Sequence, residues 1–407
     1  MSDDLLNNIF DDAVKSKSLI KNRKILTIDY VPEKLQFRDE ETTTIAQTLS
    51  VALKGSRPSN LLLFGKPGTG KTAVIKNVIK KFTEKSFSLG IEVIVPFVNA
   101  KLASTAYKVL YEIAEEMRIN QIEKRNQVYF TGLSLGEATN RILDFIQKRK
   151  LHVIFVIDEI DSLVDKNGDD ILYNFTRANE QFRDSGFITL IGISNSLTFK
   201  DKLDPRVRSS LSEEEIVFNP YKIIQLQKIL SERVKLAFSE DVVTDGAINL
   251  CAAIAGKDNG DARKAIDLLR VAAEIAEREK DSKIDEKYIR LAQNKIEKDT
   301  NFEVIKNSTT HTKIVLLAIT KSKNGNTGEV YEIYSNYCKT IDNEPLSQRR
   351  ITQIISELDQ LGLINTNIVN QGRYGRSQKI KISISTDTLK EALKEDPLFL
   401  TLMHILD

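Results

Sequence analysis

Residues 61–72 read LLLFGKPGTGKT, four apolar residues running into a glycine-rich turn closed by lysine and threonine. A short run that is apolar at every position suits a strand buried on both faces. From Lys71 to Phe82 the pattern turns helical. Strand, Gly-x4-Gly-Lys-Thr and helix, in that order, form the P-loop arrangement. Gly65, Gly68 and Gly70, with Pro67 and Thr69 among them, let backbone N–H groups converge on phosphate oxygens without Cβ clashes. The helix N-terminus adds partial positive charge. There Lys71 would neutralise β- and γ-phosphates, and the Thr72 hydroxyl would ligate Mg2+.

Outward from this turn, apolar runs and helical patterns alternate. IEVIVPFV (residues 91–98), HVIFVID (152–158) and FITLIGIS (187–194) read as strands. STAYKVLYEIAEEM (104–117) and SLGEATNRILDFIQKRK (134–150) read as helices, the second opening with Ser134 and Glu137 in capping-box spacing. All-apolar strands separated by helices predict a parallel sheet covered on both faces, a doubly wound α/β domain over residues 38–220. Residues 1–37, interrupted by Pro32, read as an extended arm. Beyond Tyr221 strand signals stop, and helical patterns at 222–237, 244–254, 261–279 and 285–298 predict an all-helical domain over 221–300. EKDTNFEVIKNSTT (297–310) reads as a polar hinge into a third unit, residues 301–407.

A carboxylate leaving the end of a buried parallel strand faces the same sheet edge as the P-loop. Asp158 would therefore hold Mg2+ through water, and Glu159 would orient and deprotonate an attacking water. Asn195 ends the next apolar strand, within reach of a γ-phosphate or that water. Arg263 stands at a helix start, where a cation is unfavourable unless an anion is near. Each has a plainer reading: a solvated strand-end acid, an asparagine in a turn, an arginine on a solvated helix face.

Composition narrows the remaining classes. Fifty-nine Lys and Arg against 57 Asp and Glu leave a net charge of +2, so any nucleic-acid surface has to be local. Cys251 and Cys338 lack zinc or disulfide spacing, and the three histidines are scattered. No apolar run is long enough to cross a bilayer, and the acidic start MSDDLLNNIFDD is unlike a signal peptide. The expectation is a cytoplasmic protein without a membrane partner.

The local basic surface lies near the C-terminus. In LSQRRITQIISELDQLGLI (346–364), Ile351, Ile354, Ile355, Leu358 and Leu361 make one apolar helical stripe. Gln348, Arg349, Arg350, Thr352 and Gln353 occupy the opposite face, as in a helix that enters a major groove. Two strands follow, joined by VNQGRYGRSQKIKI (369–382), whose Arg373, Tyr374, Arg376, Lys379 and Lys381 would meet phosphates or a minor groove. Three helices and a basic hairpin predict a winged helix that binds double-stranded DNA; a solvated hairpin or a protein-binding winged helix is the plainer alternative.

Together these motifs resemble the AAA+ ATPases, with LLLFGKPGTGKT, VIDE, Asn195 and Arg263 at the Walker A, Walker B, sensor 1 and sensor 2 positions. More narrowly the chain resembles archaeal replication initiators related to origin-recognition-complex subunit one and cell-division-cycle protein six. KNRKILTIDYVPEKLQFRDEE, FVIDEID, LDPRVRSSLSEEEIVFNPY, GDARKAIDLLR and LSQRRITQIISELDQLGLI carry that likeness. The resemblance implies that Tyr221 and Arg233 contact the nucleotide and that the arm from Val31 to Arg38 closes over adenine. It implies an arginine finger at Arg206 or Arg208 and a DNA-touching insertion holding Lys124 and Arg125. It further implies ATP/ADP as ligand, replication origins as the DNA, and a paralogous initiator and the replicative helicase as partners; with no pore-loop signature in the sequence, the expected hydrolysis is weak and switch-like. A regulatory ATP switch acting on promoter DNA or on a protein is the alternative from another class.

Overall fold

The computed structural model describes residues 18–119, 132–182, 186–370, 376–394 and 396–405. It divides into two units, Met1–Ile289 and Arg290–Asp407.

In the first unit, strand β1 (Leu61–Phe64) is flanked by β5 (Phe187–Ser194) and β6 (Glu214–Val217). Beyond β5 lies β4 (His152–Asp158), which pairs with β2 (Val93–Ile94) and β3 (Phe97–Asn99). All these pairings are parallel. Alternation along each strand divides the core between the two faces. Leu61, Leu63, Ile154 and Val156 pack against Ile45, Val74 and Phe82 on one side. Leu62, Phe64, Val153 and Phe155 pack against Val109, Phe145 and Phe175 on the other. The capping box is present: Ser134 accepts from the Glu137 N–H, and Glu137 accepts from the Ser134 N–H.

Several expectations about elements are corrected. IEVIVPFV is two short strands, not one, split at Val95–Pro96. Pro96 has no N–H for the ladder, although its carbonyl still accepts from Val156 N–H at 2.9 Å. Strand β6 lies inside the acidic SEEEIVF, where only Ile216 of the strand is buried. The arm is not simply extended: Arg23–Leu26 form a 3-10 turn that buries Ile25 and Leu26. Lys21 and Asn22 N–H both donate to the Ala237 carbonyl. Helices at Ile223–Ala237, Asp245–Lys257 and Ala262–Arg278 complete this unit.

The polar stretch 297–310 is not a hinge; Glu286–Lys306 is one helix. In the second unit its Ile305 is buried, with Phe302 packed beside it, so an apolar pair inside the polar stretch keeps the helix going. Helices at Thr310–Lys321, Thr327–Thr340 and Gln348–Gln360 follow, then antiparallel strands β7 (Ile364–Asn370) and β8 (Arg376–Ile382) and a helix at Thr386–Lys394. Ile351, Ile354, Ile355 and Leu358 are buried as expected. Leu361 is not: the helix ends at Gln360, Leu361 is 56% exposed, and Leu363 fills the core in its place. No helix among the described residues is long and apolar enough to cross a membrane.

Candidate nucleotide site and candidate DNA-binding surface

Because β5 lies between β1 and β4, residues that leave the three strands meet at one sheet edge. Gly70 caps the helix Lys71–Ser88 in a left-handed conformation, with φ +93°. The Lys71 ammonium donates to the carbonyls of Gly65 at 2.6 Å and Lys66 at 3.0 Å, and to Oδ1 of Asn195 at 2.9 Å. The Asn195 amide nitrogen lies 3.5 Å from the Glu159 carboxylate. Thr72 Oγ1 donates to Asp158 Oδ2 at 2.8 Å, and Asp158 Oδ1 accepts from Glu159 N–H at 2.9 Å. Glu159 itself sits at φ +53°, unusual for a side-chain-bearing residue. Burial pushes the Lys71 ammonium down to about 8, against the opposing pull of Asp158; Arg263 adds to the depression.

The helical part closes onto the same edge. Asp261 caps the helix Ala262–Arg278 and accepts from Arg263 N–H at 2.8 Å. Ala262 N–H donates to the Gly68 carbonyl. Gly68, at φ +74°, is pressed on Asp261 so closely that a Cβ would lie 1.7 Å from Oδ1. Arg263 and Tyr221 line a cleft of about 620 Å3 together with Gly68, Gly70, Thr72 and Asp158. The Arg263 guanidinium has no hydrogen-bond or ion-pair partner among the described residues.

The arm walls the other side of this cleft, with Tyr30, Val31 and Leu35 among its lining. Arg233 also lines it, but its guanidinium is spent on the arm: it donates to the carbonyls of Ile25 at 2.8 Å and Tyr30 at 3.2 Å and lies over the Tyr30 ring. Asn77, on the P-loop helix, donates to the carbonyls of Pro32 and Glu33. Glu277 accepts from Ser18 Oγ and from Leu19 N–H and pairs with Arg23. The structure thus places Gly65, Pro67, Gly68, Thr69, Gly70, Lys71, Thr72, Asp158, Glu159 and Asn195 at one edge, with Val31, Tyr221, Arg233 and Arg263 around it.

Arg206 and Arg208 stand apart on the helix Pro205–Leu211. Arg206 makes a two-pronged contact with Asp204, at 3.0 and 3.2 Å, and lies over Tyr173. Arg208 pairs with Asp201 at 3.3 Å. Lys124 and Arg125 lie outside the described residues.

In the second unit, Ser347 caps the helix Gln348–Gln360, and Gln348, Arg349, Arg350, Thr352 and Gln353 are all exposed. Arg350 donates to Gln353 at 2.9 Å and lies 3.6 Å from Glu357. On β8 the burial alternates: Ile380 is buried while Lys379 and Lys381 are exposed. Their backbones pair with Asn367 and Asn365 of β7, and Arg376 pairs with Asn370. Ile380 N–H also donates to the Gly325 carbonyl at 2.7 Å, bringing a third segment to the hairpin. Arg373 and Tyr374 lie outside the described residues.

Known proteins combine the same parts. This sequence is 44% identical over 410 residues to the ORC1-type DNA replication protein of Thermococcus onnurineus, covering 100% of this chain and 98% of that one. It is 43% identical over 393 residues to ORC1-type DNA replication protein 1 of Archaeoglobus fulgidus, covering 96% and 94%. The chain belongs to the ORC1-type DNA replication protein family. As an ORC1-type chain it is a member of the AAA ATPases, whose family model matches residues 61–220. Models of the Cdc6 AAA+ ATPase-type lid and of the CDC6 C-terminal winged helix match residues 227–294 and 303–392. The expected architecture, an α/β AAA+ domain followed by a helical lid and a winged helix, is therefore correct. The Aeropyrum pernix ORC1 protein, solved in complex with DNA, superposes with a TM-score of 0.81 at 40% identity, over 95% of this chain and 100% of that one. The Aeropyrum pernix ORC2 protein shares the fold, with a TM-score of 0.59 at 21% identity.

Asp261 escaped the sequence reading of this ORC1-type site, and Arg38 entered it only as the end of the arm that the resemblance closes over adenine. Asp261 carried a signal, an aspartate just before a helix, which is an N-cap signature. Arg38 carried none: nothing in its local sequence separates a buried, multiply bonded arginine from a solvated one.

Proposed function

We propose that this ORC1-type chain is a nucleotide-switched replication initiator, binding ATP beneath its lid and duplex origin DNA through its winged helix and AAA+ elements. The observation that carries the nucleotide half is the hydrogen-bonded line from Lys71 through Asn195 to Glu159, beside the Thr72–Asp158 pair and faced by Arg263. A buried cation, a bridging amide and an acid in line suit a bound γ-phosphate and an attacking water.

The roles follow from the chemistry. Gly65, Pro67, Gly68, Thr69 and Gly70 cradle phosphates, while Lys71 and Arg263 neutralise them. Val31 and Tyr221 wall the base, and Arg233 holds the arm that carries Val31. The oxygen donors of Thr72 and Asp158 fit Mg2+, which takes one or two carboxylates and completes its shell with phosphates and waters; when bound it supplies charge neutralisation. Glu159 takes a proton from water, which attacks the γ-phosphorus; the bond to the β–γ bridging oxygen breaks, leaving ADP and phosphate. Slow, switch-like turnover is supported by Arg206 and Arg208, the two finger candidates, each paired with an acid of its own helix or the turn before it.

For DNA, Gln348, Arg349, Arg350, Thr352 and Gln353 address the major groove. Arg373, Tyr374, Arg376 and Lys379 grip phosphate or minor groove from the wing, and Lys124 and Arg125 add contacts from the AAA+ domain. The relative from Aeropyrum pernix solved with DNA supports this reading. A paralogous initiator and the replicative helicase are the partners such a protein would recruit, the latter on the family resemblance alone.

Footprinting across the host's intergenic regions, with and without ATP, is the test. Protection confined to origin DNA and altered by ATP is expected. Equal protection of every sequence overturns the initiator reading, and protection of promoters alone transfers the chain to the regulatory class.

A further inference from the structure

Arg38 is 5% exposed, yet no ion pair alone accounts for it. Its guanidinium joins three segments of the chain. Nε donates to the Thr69 carbonyl at 2.9 Å and lies 3.2 Å from the Tyr221 hydroxyl. Nη1 donates to Glu41 at 2.8 Å and Nη2 to the Asn219 carbonyl at 2.5 Å. The plane lies over the Tyr221 ring, 4.2 Å from its centroid, and 5.4 Å from that of Phe218. The forked, planar group satisfies the P-loop, the start of the helix Asp39–Ser50 and the 218–221 segment entering the lid.

Two consequences follow from the covalent geometry. A trans peptide holds its carbonyl and the next N–H on opposite edges, so anchoring the Thr69 carbonyl on Arg38 turns the Gly70 N–H away from it. Tyr221, the other face of the same contact, is set against Gly70, where a Cβ would lie 2.9 Å from the Tyr221 hydroxyl. The Thr69–Gly70 peptide and the first residue of the lid are thus held by one side chain. Reorientation of either changes the hydrogen bonds open to the other.

We propose that Arg38 is a positioning residue that sets the Thr69–Gly70 peptide for phosphate and couples its state to the hinge at Asn219–Tyr221, so that an occupied P-loop biases the lid. This deepens the nucleotide-switch reading and rests on it. Arg38 itself touches no phosphate; it acts through the peptide and the hinge.

The test compares wild type with Arg38→Ala and Arg38→Lys. Affinity is measured with a fluorescent ATP analogue. Lid response is measured as deuterium protection gained by residues 223–237 and 262–278 at saturating ATP. The expected result is affinity weakened about tenfold or more in both variants, the range for losing a charged hydrogen bond, with protection gained in the lid at least halved even at saturation. Arg38→Lys keeps the cation without the fork, so it is expected to restore the melting temperature but not the lid response. Should Arg38→Ala fail to fold, Arg38→Lys carries both readouts. Binding and lid protection within twofold of wild type in Arg38→Lys overturn the role of Arg38 alone. Weakened binding with full lid protection at saturation overturns the coupling. A wild-type chain that does not bind ATP overturns the nucleotide reading and this inference with it.

Discussion

Asn195 offers its oxygen to Lys71 at 2.9 Å and its nitrogen to Glu159 at 3.5 Å. One amide thereby accepts from the cation and donates to the anion, the only orientation that satisfies both neighbours. Strand order makes this possible, since β5 lies between the strands that deliver the other two.

Replacing Asn195 by Ala should separate binding from chemistry. ATP affinity is expected to stay within a few fold, because the glycine cradle and Lys71 remain. Hydrolysis is expected to fall about 100- to 1000-fold, the range for removing one preorganised donor. Single-turnover phosphate release, measured beside equilibrium binding, checks the split.

Lys71 gives a pH signature. Burial depresses its ammonium to about 8 in the free protein, and bound phosphates would raise it again. Above about pH 8 the free lysine is neutral, so nucleotide binding must take up a proton, and affinity should fall as pH rises from about 8 towards 10. Below about pH 7 the lysine is charged in both states and contributes no proton uptake. Calorimetry of ADP binding at pH 7 and pH 9, in pairs of buffers with different ionisation enthalpies, reads the proton count directly.

Gly68→Ala is expected to cost more than a loop alanine usually does. The backbone there is left-handed, and the new methyl would meet the Asp261 carboxylate. Either the P-loop or the cap of the lid helix has to shift. Nucleotide affinity should drop at least about tenfold, while duplex binding measured without nucleotide should be unaffected.

On the DNA side, Arg349 and Lys379 are both exposed, on the helix and the hairpin. Replacing each by Ala should weaken duplex binding and flatten its log–log salt dependence by about 0.9 for each phosphate the variant no longer neutralises. A base-reading role for Arg349 would instead leave the slope alone and relax sequence preference. Filter binding from low to high salt, on specific and random duplexes, tells the two apart.

How much was legible varied with the kind of signal. The P-loop, the all-apolar strands β4 and β5 and the capping box at Ser134 rest on local pattern, and the structure bears each of them out. β6 was missed because an edge strand flanked by glutamates buries one residue and shows no apolar run. The hinge expected at 297–310 failed because Phe302 and Ile305 draw a polar stretch into a core that only tertiary packing reveals. Leu361 fits the helical period, but the helix stops before it. At the site, Lys71 was readable from the P-loop and Asp158 and Asn195 from strand ends, whereas the contacts of Arg38 reach partners up to 183 residues away.

The arm is stitched at both ends with hardly any thread between the stitches. Arg233, on the lid side, holds the Tyr30 carbonyl, and Asn77, on the P-loop helix, holds the carbonyl of Pro32. Only Val31 separates those two residues, and a chain reaches at most about 3.6 Å per residue. The lid therefore has only a few ångströms of play while both stitches hold. A wider swing has to rip one of them, so the order in which they give way decides whether the wall over the nucleotide leaves with the lid or stays behind with the P-loop.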